Sequence, residues 1–200
     1  PVYSLHPQPA FPVESEELSP SRKWMTGRTP RATGRIVTFQ DKTIVVKGSF
    51  PGEIPVARKL KGNWADMDRI SFDIETPDNA PEYSRVLLYL RDQDWNWYQK
   101  LLPAPLRVND TTTYVASLTE EFKWESSGNS TDWLPYTTLR IREIGIRIIG
   151  NADTGEQCEF GIKNIKVYKL PLPETDTPII HDIQLSSTDV PRYGKLEISF

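Results

Sequence analysis

Residues Arg69-Ile70-Ser71-Phe72-Asp73-Ile74-Glu75 alternate without a break, with Ile70, Phe72 and Ile74 on one phase and Ser71, Asp73 and Glu75 on the other. A period of two sets apolar side chains on one face of a strand and polar ones on the other. Such a strand cannot bury its apolar face alone, so it requires a sheet and a second layer packed over it. The pattern recurs along the chain. In Val86-Leu87-Leu88-Tyr89-Leu90-Arg91, Val86, Leu88 and Leu90 point inward while Tyr89 and Arg91 point outward. A turn at Asp92–Asn96 leads into Trp97-Tyr98-Gln99-Lys100-Leu101-Leu102. Thr113–Leu118 reads as a further strand, and Glu143–Ile149 sets Ile144, Ile146 and Ile148 against Gly145 and Arg147.

Two more segments complete the pattern. From Phe160 to Val167 the apolar phase slips between Ile162 and Ile165, which predicts a bulge at Lys163-Asn164. Upstream, Val37 and Phe39 face Ile44-Val45-Val46 across Gln40-Asp41-Lys42, which predicts a hairpin. Helical periodicity is weak throughout, and 17 Pro against 11 Gly favour turns and edges over long helices. Short strands with turn signals between them argue for an all-β, two-sheet antiparallel sandwich.

Composition removes several function classes. A net charge of -3 leaves no basic footprint for nucleic acid. No apolar run reaches the roughly 18 residues a membrane-spanning helix needs. Cys158 stands alone, so neither a disulfide framework nor a thiolate metal site is expected. The chain opens Pro1-Val2-Tyr3, and any leader is expected to precede this numbering. The sequons at Asn109 and Asn129 read as turns.

The chain divides by texture. Residues 1 to about 35 are rich in Pro, Ser, Arg and Thr and read as an extended arm or edge strand, so the first unit is taken as 1–169. Residues 170–178, Leu170-Pro171-Leu172-Pro173-Glu174-Thr175-Asp176-Thr177-Pro178, form a stiff linker. Residues 179–200 hold two strand-like runs, too few to make a core, and are expected to open a second, incomplete domain.

Three blocks carry a family resemblance. They are Ile70-Ser71-Phe72-Asp73-Ile74 with Pro77-Asp78-Asn79-Ala80-Pro81, then Leu88-Tyr89-Leu90-Arg91-Asp92 with Trp97-Tyr98-Gln99, then Glu143–Gly150 with Ile162–Val167. Together they resemble the galactose-binding-like jelly-roll modules attached to bacterial glycoside hydrolases and polysaccharide lyases. The stretch Val190–Phe200 resembles the opening strand of the immunoglobulin-like domain that often precedes a glycosidase catalytic domain. The resemblance implies a jelly-roll sandwich in a secreted protein, extracellular, periplasmic or at the cell surface. It also implies a polysaccharide partner, with immunoglobulin-like and catalytic domains further along the same chain. Modules of this kind often hold a structural calcium, at a position these motifs do not mark. Fold analogy alone does not establish function.

The residues themselves suggest where a sugar would sit. Asp73, Tyr89, Arg91, Gln99 and Arg147 fall on the non-core phase of their strands and would line one face if those strands share a sheet. Trp95 stands at the tip of the adjoining hairpin, and Trp97 shares the phase of Gln99. Flat rings cover the C–H faces of a pyranose, and planar donors and acceptors meet its hydroxyls. Alternatively, N-terminal residues cover Tyr89 and Trp97, while Asp73 and Arg147 form an ion pair. Trp133, with Trp124 and Tyr136, sits in a Ser/Gly/Asn-rich segment that would serve as a binding edge or cap the core.

Catalytic chemistry finds little footing. Asp92-Gln93-Asp94-Trp95-Asn96 mimics a calcium-loop spacing, but Trp97 and Pro103 stand where Gly and Glu are required. His6 and His181 lie in the arm and beyond the linker, and Glu120 and Glu121 are adjacent, so a strand would point them to opposite faces. No nucleophile-elbow, zinc-protease or phosphate-loop motif occurs. No catalytic residue is assigned, and the expected role is a carbohydrate-binding module. The alternatives are a structural spacer packed on its own catalytic domain and, less favoured, an independent lyase or hydrolase.

Overall fold

The computed structural model describes residues 14–18, 23–60, 63–119, 124–127, 132–153 and 155–170. Within them the chain forms strands β1 (Glu14–Glu17), β2 (Trp24–Thr26), β3 (Arg35–Gln40), β4 (Thr43–Gly48), β5 (Gly52–Lys59) and β6 (Arg69–Thr76). There follow β7 (Arg85–Asp92), β8 (Trp97–Leu101), β9 (Asp110–Ser117), β10 (Glu125–Ser127), β11 (Ile141–Gly150) and β12 (Cys158–Lys169). A 3-10 turn, Pro135–Arg140, stands between β10 and β11.

Two antiparallel sheets stack face to face. The first runs β3-β4-β12-β6-β9, with β1 also paired to β12; the second runs β10-β8-β7-β11-β5-β2. The alternation supplies both inner faces. Ile44, Val46, Ile70, Phe72, Ile74, Phe160 and Ile162 come from the first sheet, and Ile54, Val56, Val86, Leu88, Leu90, Ile144, Ile146 and Ile148 from the second. All of these are buried, and the result is the jelly-roll sandwich that the pattern required.

The strands expected within the described residues are present near their expected positions, and so is the β3–β4 hairpin, whose turn residues Asp41 and Lys42 both have positive φ. The β12 bulge is also present. Its pairing with β6 shifts between Lys163 and Lys166, and Asn164 takes φ 52°. One interior strand is absent from the sequence reading. Pro55 lies in the middle of β5, where proline argues against a strand. It is tolerated because β2 pairs only with Val56, Ala57 and Arg58, and beyond them Pro55 has only to accept, from the Gly27 N–H at 2.9 Å.

The N-terminal arm contributes two short edge strands, β1 on the first sheet and β2 on the second. Nearly all of the linker, all of residues 179–200, both histidines and the Asn129 sequon lie outside the described residues. No helix among the described residues is long and apolar enough to cross a membrane.

Candidate functional site

Strands β8, β7 and β11 lie side by side, and their register builds the candidate face on the outer surface of the second sheet. Tyr89 pairs with Gln99 on one side and Gly145 on the other, and Arg91 pairs with Trp97 and Glu143. Leu87 pairs with Leu101 and Arg147. Cross-strand neighbours on one face have Cβ atoms about 5 Å apart, close enough for rings and guanidinium groups to meet.

Gly145 sets the arrangement of this face. A Cβ placed on it would come within 2.1 Å of Tyr89 Cε1 and Cζ. The tyrosine ring therefore lies flat across the β11 backbone, in the space a side chain would occupy. Trp97 stacks on that ring, with centroids 4.0 Å apart and planes 15° from parallel. Tyr89 is only 4% exposed, its hydroxyl donates to Glu143 Oε1 at 3.2 Å, and burial, followed by the Glu143 charge, raises its pKa far above the usual tyrosine value. The hydroxyl stays protonated and remains a donor.

Two arginines frame the stack. The Arg147 guanidinium lies 4.5 Å from the Trp97 centroid and 5.1 Å from that of Tyr89. Arg91 lies 4.4 Å from the Trp95 centroid and 5.8 Å from that of Trp97. These are cation–π distances. Each arginine also faces an acid, Glu143 for Arg91 at 3.8 Å and Glu53 for Arg147 at 3.6 Å. Gln99 accepts from Trp97 Nε1 at 3.1 Å and donates to Glu125 at 3.3 Å.

Trp95 is held differently. It occupies the β7–β8 turn with φ 67° and is 58% exposed. The turn is braced from beneath by the buried Asp92, whose carboxylate accepts from Asp94 N, Asn96 N and Asn96 Nδ2 at 2.8–2.9 Å. Arg140, at the end of the 3-10 turn, forms an ion pair with Asp94 from the outside. A large apolar ring thus stands in solvent on a fixed support.

The structure brings together Trp95, Trp97, Tyr89, Arg91, Gln99 and Arg147. It separates two others. Asp73 lies on β6 of the first sheet, bonded to Thr113 Oγ1 and Asn164 Nδ2 at 2.7 Å each. The Asp73–Arg147 ion pair offered as the alternative does not form; Glu53 faces Arg147 instead. Alternation reveals which face of a strand is polar, and Asp73 obeys it, but not which sheet the strand joins. Trp133 is a core residue, 3% exposed, stacked on Trp124 at 4.8 Å and donating to Leu118 O at 3.1 Å. Within the remaining set, Tyr89 is a buried support beneath Trp97 and not a contact surface.

Three members of the face, Glu143, Gly145 and Glu53, are given no role in it by the sequence reading. Glu143 and Gly145 share the phase of Arg147, and a glycine in a strand interior marks a close approach, so both were signalled. Glu53 carried no signal, because β5 was hidden by its proline. Chemically the face offers aromatic surface with forked donors and carboxylate acceptors. Among the described residues, no three His, Cys, Asp or Glu side chains gather where a metal ion could be held.

No protein-family model matches the chain, and no curated protein sequence matches it. Solved structures do share its fold. One is the family 11 carbohydrate-binding module of a cellulosomal cellulase of Clostridium thermocellum, with TM-score 0.52 and 15% identity, covering 82% of this chain and 99% of that one. A xylan-binding module, CBM15, matches with TM-score 0.51 and 12% identity over 78% of this chain and 96% of that one. The agarase AgWH50C matches with TM-score 0.51 and 12% identity over 82% of this chain, which spans 25% of the agarase. At these identities the likeness concerns the fold.

Proposed function

We propose that this chain is a non-catalytic carbohydrate-binding module whose ligand lies on the outer face of the second sheet, over Trp95, Trp97, Arg91, Gln99 and Arg147. The observation that carries the reading is Trp95, a mostly exposed indole on a turn braced by Asp92 and Arg140. Exposing so much apolar surface on a rigid support has no benefit for the core, whereas a sugar ring would cover it. The fold likeness to two carbohydrate-binding modules and to part of an agarase supports the same reading. In this proposal the module works outside the cytoplasm and carries an attached glycoside hydrolase or polysaccharide lyase to its substrate. The segment after residue 178 then opens an immunoglobulin-like domain on the way to the catalytic domain.

Trp95→Ala is expected to weaken polysaccharide binding about tenfold without lowering the melting temperature. Covering some tens of Å2 of apolar ring is worth roughly 1–2 kcal/mol at about 25 cal/mol per Å2. The same ring contributes little to a core it does not touch. Affinity gel electrophoresis beside thermal melts separates the two effects. Unchanged retention on every polysaccharide that wild type binds would pass the reading to a structural spacer.

A second expectation concerns the boundary. Among the described residues, those of the main core all precede Lys169, so a polypeptide ending near Lys169 should fold cooperatively by circular dichroism and heat denaturation. A chain that stays unfolded there would place part of the core further on.

A further inference from the structure

The two arginines at the centre of the face are each neutralised by an acid of the same face. Arg91 Nη1 lies 3.8 Å from Glu143 Oε1, and Arg147 Nη1 lies 3.6 Å from Glu53 Oε2. Both glutamates are 13% exposed, so little solvent screens them. Neither pair is a directed hydrogen bond. Arg91 Nε, Arg147 Nε and Glu53 Oε2 are all buried without a hydrogen-bond partner. A pair placed to clamp structure closes to direct, forked contact at about 2.7–2.9 Å. These two stand off and act through charge.

An arginine without such a partner, lying against an aromatic ring, is well suited to hold a carboxylate or sulfate. With a carboxylate behind it, the same guanidinium can still donate to a neutral hydroxyl, but an incoming anion also meets the repulsion of the acid. Glu125, bonded to Gln99, adds a third negative group beside Trp97. Two cations border the face: Lys59 pairs with Glu143 across β5 and β11, and Arg85 on β7 pairs with Ile149, which faces Glu53 on its other side.

We infer that Glu143 and Glu53 are the charge-selectivity residues of this face: they hold Arg91 and Arg147 as donors for sugar hydroxyls and turn away anionic polysaccharides. The inference rests on the sugar-binding reading above and adds to it the residues that choose the class of ligand.

The test uses the full chain and its Glu143→Gln, Glu53→Gln and double variants. Glutamine preserves the volume, and at residue 143 it preserves an acceptor for the Tyr89 hydroxyl. Affinity gel electrophoresis is run with neutral polysaccharides (xylan, mixed-linkage glucan, agarose) and acidic ones (polygalacturonate, alginate, carrageenan), beside thermal melts. Wild type should be retained by at least one neutral polysaccharide and by none of the acidic ones. Each single variant should gain retention on an acidic gel relative to its own retention on the neutral ones. The double variant should gain the most, about tenfold or more in affinity. That gain should vanish in about 1 M salt, where the screening length falls to about 3 Å. Should one variant melt early, the other single variant carries the comparison. Wild-type retention by acidic polysaccharides overturns the inference. So does a double variant that binds neutral polysaccharide as before and gains nothing on acidic gels, and in that case the sugar-binding reading stands. Wild type that binds none of the six overturns both.

Discussion

Trp133→Ala should destabilise the fold by about 3–5 kcal/mol, and for a chain of this size lower its melting temperature by roughly 10 °C. Polysaccharide binding at a temperature where the variant is folded should not change. The indole is 3% exposed, stacked on Trp124 and edge-on to Tyr98 at 5.2 Å. Its removal opens a cavity at the margin of the sandwich that rigid strands on both sides cannot close. Trp133→Phe separates the two contributions. It fills much of the volume but leaves Leu118 O without its donor, at a smaller cost of about 1–3 kcal/mol. Denaturant titration of wild type and both variants gives the ordering. A Trp133→Ala protein as stable as wild type, with weakened retention, would return this residue to a binding edge.

Gly145→Ala should be nearly as disruptive, for the opposite reason. The new Cβ would stand 2.1 Å from two atoms of the Tyr89 ring, against the 3.5–4.0 Å of an ordinary carbon contact. The ring has to lift, and Trp97 with it. Overpacking of this kind costs about 1–3 kcal/mol, and part of the roughly 0.5–1.5 kcal/mol of the aromatic stack is lost as well. The contribution of Tyr89 can be isolated. In a Tyr89→Ala background the collision is gone, and Gly145→Ala should be neutral or stabilising, since alanine loses less backbone entropy in a strand. The double-mutant cycle should therefore be strongly non-additive. Equal costs in both backgrounds would show that the glycine serves the backbone and not the ring.

Much of this architecture is legible in the residues. Ile70, Phe72 and Ile74, and likewise Ile144, Ile146 and Ile148, announce both the strand and its buried face, because period-two burial is a local property. The β12 bulge is equally local, written in the slipped phase between Ile162 and Ile165. What was not legible is non-local. Asp73 has the polar phase of a site residue, yet pairing order sends β6 to the first sheet. Trp133 lies in an irregular segment with no period from which burial could be read. Glu53 was lost with β5. Tyr89 was correctly placed on the outer face, but a ring lying flat under Trp97 follows from a cross-strand pairing with Gly145 that no single strand reveals.

The pairing order also bears on how the chain is completed during synthesis. In the first sheet β4 and β6 lie on opposite sides of β12, and in the second β5 and β7 lie on opposite sides of β11. Among the described strands, the two latest in the chain, β11 and β12, are thus the seams that join each sheet's earlier halves. Until they emerge, the β3–β4 and β6–β9 pairs have no bond to one another and present open edges above apolar faces. Contacts between residues so distant in sequence form slowly, and unpaired edges are where nascent chains associate wrongly. This module therefore cannot ripen from its beginning onward. It closes when β11 and β12 pair, and the interval before that is when it most needs protection from its neighbours.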